Sequence, residues 1–112
     1  MNRSSEMSGE MQKPAAALTR VIADALSRVP PDEAPLAAWP FVCGTNVAHL
    51  TRAVTYRHRV LRVEVPDRAW RMQLMELAPR YVAALNAIVK QQVVRIQFTL
   101  PGEVPAEEPA VR

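Results

Sequence analysis

The stretch RAVTYRHRVLRVEV, residues 52–65, decides the fold, because its apolar and polar residues alternate with the period of a strand, not that of a helix. Val54 and Tyr56 fall on one side, Thr55 and Arg57 on the other. After an Arg57-His58-Arg59 link, Leu61, Val63 and Val65 form one face while Arg62 and Glu64 point the opposite way. The pattern predicts a β-hairpin with a basic tip. The link holds no Asn-Gly or Gly-Gly dipeptide, the pairs that suit tight two-residue turns, so the turn is not signalled by its own residues.

On the C-terminal side, Pro66-Asp67 opens a helical pattern in which Trp70, Leu74, Leu77, Tyr81, Leu85 and Ile88 recur three or four residues apart and face the core. Asp67 reads as its cap. Pro79 falls inside the pattern and predicts either a kink or two consecutive helices. From Val93 to Leu100, Val94, Ile96 and Phe98 alternate with Arg95, Gln97 and Thr99, a strand with one polar face.

On the N-terminal side, Pro14 precedes Leu18, Val21, Ile22, Ala25, Leu26 and Val29 at helical spacing, and Pro30-Pro31 stops that helix. A second helix begins at Asp32-Glu33, carries Leu36, Trp39, Cys43 and Val47 on one stripe, and is kinked or broken by Pro40. The order α-α-β-β-α-β predicts an α+β fold, a three-stranded sheet with its helices on one face and the other face left to solvent or a partner. Trp39, Leu61, Val63, Trp70, Leu74, Leu85 and Ile96 are its expected core. Gly44 is expected to permit a tight turn or close helix packing.

With 112 residues the chain has room for one hydrophobic core, which places one domain at 14–100 between expected flexible tails at 1–13 and 101–112. Residues 1–13 are polar and carry no secretory pattern, and the longest apolar run, 34–44, is short and interrupted by Pro35 and Pro40. Cys43 is the single cysteine, so no intramolecular disulfide forms. The expected location is the cytoplasm, on the nucleoid, with no membrane partner. Residues 13–100 hold twelve Lys or Arg against six Asp or Glu, and twelve of the fourteen cations in the chain are arginine. Arginine's planar fork suits phosphate and carboxylate, which points to a polyanionic partner.

Several residues together resemble a known family: Trp39-x-x-Val42-x-Gly44-x-x-Val47-Ala48-His49-x-Thr51, then Leu61-x-Val63-x-Val65, Asp67-x-x-Trp70-x-x-x-Leu74, Leu85-Asn86 and Val94-x-Ile96. The pattern, over residues 14–100, is similar to that of the DciA family of bacterial replicative-helicase loaders. The resemblance implies a KH-like domain that binds DNA and helps bring the replicative helicase onto it. Loaders of that family generally extend into a longer basic tail, whereas residues 101–112 here carry a net charge of −2.

The candidate nucleic-acid-binding residues are Arg52, Arg57, Arg59, Arg62, Arg71 and Arg95, within a wider basic group that includes His58, Arg80 and Lys90. Binding a phosphate backbone needs several cations on one surface, since each neutralised phosphate releases counterion. The competing reading is a set of arginines scattered over an ordinary solvated surface. Trp39, Trp70 and Phe98 lie on apolar stripes and read as core, not as base-stacking platforms. Glycine occurs only at 9, 44 and 102, so the Gly-x-x-Gly loop with which KH domains grip a single strand is absent. Cys43, His49 and His58 form no nucleophile-base or metal-ligand pattern, and neither catalysis, a metal, a cofactor nor a small-molecule substrate is expected. The expected function is a non-catalytic nucleic-acid-binding accessory of DNA replication. Its expected partners are single- or double-stranded DNA, with RNA not set aside, and a replicative helicase. The alternative is an adaptor whose basic face binds an acidic protein.

Overall fold

The structure is a computed structural model and describes residues 17–103. The hairpin forms as β1 (Arg52–Arg57) and β2 (Val60–Glu64), paired antiparallel, and β3 (Arg95–Thr99) joins β2 in parallel to give the order β1-β2-β3. A parallel neighbour requires a crossover, supplied here by the 21-residue helix α4 (Arg68–Ile88). Three helices precede the sheet: α1 (17–26), α2 (Ala34–Cys43) and α3 (Thr45–Leu50). Helix α2 packs on β1 and α4, and α4 on β3. The architecture is α+β, and its element order is consistent with a KH-like fold.

The apolar face of the sheet is set by cross-strand pairing. Ala53, Val63 and Phe98 share one row, and Tyr56, Leu61 and Ile96 the next; all pack into the core with Leu74 and Leu85 of α4 and Trp39 of α2. Trp39 is 1% exposed, and its ring lies edge-on to Tyr81 at 5.1 Å and tilted to Phe98 at 6.3 Å. Its indole N–H donates to Thr51 Oγ1 at 2.9 Å, and that hydroxyl donates to the Val47 carbonyl at 2.7 Å. One side chain thus joins α2, α3, α4, β3 and the residue before β1.

The structure corrects several expectations. The alternation in β1 is broken by a bulge between Ala53 and Thr55, so Ala53, not Val54, shares the inner face with Tyr56. The second expected helix is two helices, and the break falls at Gly44, whose φ of 88° and ψ of 164° turn the chain, while α2 runs through Pro40. A Cβ at Gly44 would meet nothing within 4 Å; the requirement for glycine there is the positive φ alone. Helix α4 is likewise continuous through Pro79. Leu77 is 37% exposed, because Ala78 and Val82 take the inward positions beside it. Trp70 is half-buried against the rim of the core, one turn from the N-cap at which Asp67 accepts from the Trp70 N–H. Residues 101–103 form a turn in which the Glu103 carboxylate accepts from the Leu100 N–H and from Arg71. Residues 14–16, the expected start of the first helix, lie outside the described residues, as do the expected tail at 1–13 and residues 104–112 of the other.

The two tryptophans should therefore differ. Trp39→Ala is expected to cost about 3–5 kcal/mol in urea denaturation, as for a fully buried aromatic, and Trp70→Ala distinctly less. Equal losses would contradict the rim position of Trp70.

Candidate nucleic-acid interface

Pairing that buries one face of the sheet defines the other. Its outer rows are Arg57, Val60 and Arg95 at the tip end, then Thr55, Arg62 and Gln97, then Arg52, Glu64 and Thr99. Adjacent strands lie about 4.8 Å apart, so the backbones of Arg57 and Arg95 are about 10 Å apart across the tip row. Arg62 stands in the middle strand, half-buried between its neighbours, and its Nε is closed to solvent with no hydrogen-bond partner.

The tip is a two-residue turn between paired Arg57 and Val60, with His58 at φ 54° and Arg59 at φ 66°. Both are in the left-handed region required by a type I′ hairpin turn, which normally falls to Asn and Gly. Histidine enters this region more readily than most side chains, arginine does not, and neither matches Asn or Gly there. Tertiary hydrogen bonds hold the conformation. The Arg59 carbonyl accepts from Val94 N–H at 2.8 Å, and Tyr56 Oη donates to the Gln92 carbonyl at 2.5 Å. The segment they bond to is itself fastened to α4, because the Asn86 side chain donates to the Val93 carbonyl at 2.9 Å and accepts from its N–H at 2.8 Å. Lys90 lies exposed in the same connection.

The six candidate arginines separate into two groups. Arg57, Arg59, Arg62 and Arg95 gather at the tip and on the outer face. Arg52 lies at the opposite end of β1 in an ion pair with Glu64 at 3.1 Å. Arg71 is on α4, in the helical layer, and bonds Glu103 at 2.9 Å with its side chain 27% exposed. The hydrogen bond from the Leu100 N–H and then the charge and bond of Arg71 hold the Glu103 carboxyl below its ordinary range. Carboxylates are absent from the sequence at 34–63 and at 77–102, the stretches that supply the tip group. Asp32 and Glu33 border it at the β1 edge, where they face Thr55 and Arg57 across a cleft of about 230 Å³.

Sequence reasoning found these cations but not the strained turn, the Asn86 clasp or the Tyr56 bond. Their only sequence trace was the Leu85-Asn86 pair. Cys43 is half-buried, and burial pushes its thiol up to about 11. Among the described residues, no three His, Cys, Asp or Glu side chains are placed to hold a metal ion, and no helix is long and apolar enough to cross a membrane.

Two outcomes follow from this geometry. Replacing His58-Arg59 by Asn-Gly should raise stability by about 1 kcal/mol, measured by urea denaturation, because it relieves two left-handed side-chain residues. A loss of stability would mean that the turn is not strained. Cys43, a neutral thiol through pH 8–9, should react with iodoacetamide far more slowly in the folded protein than in urea at pH 8, and the folded rate should climb only toward pH 11.

Comparison with known proteins gives one family: the model described as Dna[CI] antecedent, DciA, matches residues 13–98. No curated protein matches the chain.

Proposed function

The chain belongs to the DciA family, helicase-loader and accessory proteins of DNA replication not known for catalysis, and from that premise we propose that it is a non-catalytic nucleic-acid-binding accessory acting through its hairpin tip and outer sheet face. The observation that carries this reading is the gathering of Arg57, Arg59, Arg62 and Arg95 at one end of the sheet and on its outer face, apart from Arg52 at the far end and Arg71 in the helical layer. Cations on one continuous surface each release counterion from the phosphate they meet, and their contributions to affinity add.

Contacts of this kind read the backbone and not the base edges, so binding is sequence-tolerant. Trp39 and Phe98 are committed to the core, and among the described residues no large aromatic ring stands on the outer face for bases to stack on. Affinity then comes chiefly from arginine on phosphate. In the cell the domain would work on the nucleoid alongside the replicative helicase.

The test is fluorescence anisotropy of labelled single- and double-stranded oligonucleotides, repeated from about 50 to 200 mM salt. Contacts to about four phosphates give a log-log slope near −3 to −4. Arg57→Glu with Arg59→Glu should weaken binding at least several-fold and flatten the slope, while Arg52→Gln and Arg71→Gln leave both nearly unchanged. Absence of binding by the parent at the lowest salt would reject the reading; equal losses in both pairs would reject the tip as its site.

A further inference from the structure

The apex of the hairpin carries a group of a different kind from the arginines. His58 is the first of the two turn residues, exposed, at φ 54°, between Arg57 and Arg59. Its place is fixed from both sides, because the Val94 N–H donates to the Arg59 carbonyl and Tyr56 Oη to the Gln92 carbonyl. Histidine enters the left-handed region more readily than lysine or arginine, so an ionisable ring is held at this apex with less backbone strain than a permanent cation would bring.

The charged groups about the apex are mostly of one sign. Arg57 of β1, Arg59 of the turn, Arg95 of β3 in the tip row, and Lys90 of the connection before β3 are cations. The acids bordering the group are Asp32 and Glu33, which face Thr55 and Arg57 across the cleft at the β1 edge. Residues 34–63 and 77–102 hold none. Imidazole is the side chain whose ordinary charge change falls between pH 5 and 8. A proton taken from solvent by the ring adds one more cation to the tip, and a phosphate lying against the tip favours that form. By linkage, a ligand that favours the protonated form is bound more tightly as the pH falls.

We infer that His58 is a proton-linked phosphate contact, whose imidazolium donates an N–H to a phosphate oxygen from the apex, so that the tip takes up a proton as it binds a polyanion. The inference rests on the nucleic-acid reading of the tip and deepens it. The chain's other histidine supplies the comparison. His49 lies in the last turn of α3, beside Arg52 and Glu64, at the opposite end of β1 from the turn.

The test is anisotropy of a labelled duplex oligonucleotide with the full chain at pH 7.5 and at pH 5.5, each over about 50–200 mM salt. The parent should bind about threefold more tightly or better at the lower pH, with a log-log salt slope steeper by about 0.9, the increment for one more phosphate contact. His58→Asn, neutral and suited to a left-handed turn, should remove both differences. His58→Arg should bind at pH 7.5 about as the parent does at pH 5.5, and His49→Asn should behave as the parent does. Thermal melting at both pH values checks that each variant is folded. Equal affinity and slope of the parent at the two pH values, or a pH dependence that survives in His58→Asn, would overturn the proposal and leave the nucleic-acid reading standing. Absence of binding by the parent at both pH values would overturn the two together.

Discussion

The geometry of the whole domain depends on where Trp39 is held. Its ring is clamped between Tyr81 of α4 and Phe98 of β3, and its one polar atom is satisfied by Thr51, the residue before β1. A buried indole N–H without a partner would cost about 1–3 kcal/mol, so Thr51 must come to the ring. Bringing it there across twelve residues requires the chain to turn back, and the turn is Gly44 at positive φ followed by the short helix α3. The Thr51 hydroxyl then closes α3 onto the same point through the Val47 carbonyl. Position and direction of β1, and with them the hairpin, follow from this junction.

What the junction sets at one end of the hairpin, the other end must hold against local preference. His58 and Arg59 adopt a backbone conformation that costs on the order of 1–2 kcal/mol per residue for L side chains. The bonds from Val94 to Arg59, from Tyr56 to Gln92 and between Asn86 and Val93 join the tip to β3's lead-in and to the last turns of α4. A net hydrogen bond contributes about 0.5–1.5 kcal/mol, so a few such bonds are of the size needed to offset the strain. The tip is thus held in place by tertiary contacts and not by turn propensity.

This is also where the sequence stopped being legible. β2 keeps strict period two because one of its faces is in the core, and β3 keeps it from Arg95 to Phe98, so Leu61, Val63, Ile96 and Phe98 can be read directly; at the ends of β3 the alternation fails, with Val94 exposed where the period put it inside and Thr99 buried where the period put it outside. β1 cannot be read that way: the bulge at Val54 shifts its phase by one residue, and bulges carry no reliable residue signature. Both internal prolines argued for a kink or a break, and neither breaks its helix: α2 and α4 run through Pro40 and Pro79, since tertiary packing on Trp39 and Leu74 outweighs one lost backbone bond. Trp70 followed the apolar stripe but stands near the helix start, at the rim. The candidate arginines were individually visible; their sorting was not. Arg52 meets Glu64 twelve residues away and Arg71 meets Glu103 thirty-two away, and no pattern in one dimension separates these cations from the ones gathered at the tip.

That sorting gives the charge of the domain its direction. Residues 13–100 carry a net +6, but the end of the sheet near Glu64 and Glu103 is neutralised locally, and Asp32 and Glu33 bound the β1 edge. Arg57, Arg59, Arg62, Arg95 and Lys90 are the part of that charge that gathers at the tip and along the lead-in to β3. An Asn-Gly turn would suit the backbone better and would remove one arginine and one imidazole from that area. The residues present sacrifice turn stability at the place where the positive charge gathers, and their strain is offset elsewhere in the fold. Strain retained at a cluster of like charges is the arrangement expected when a surface serves binding before stability.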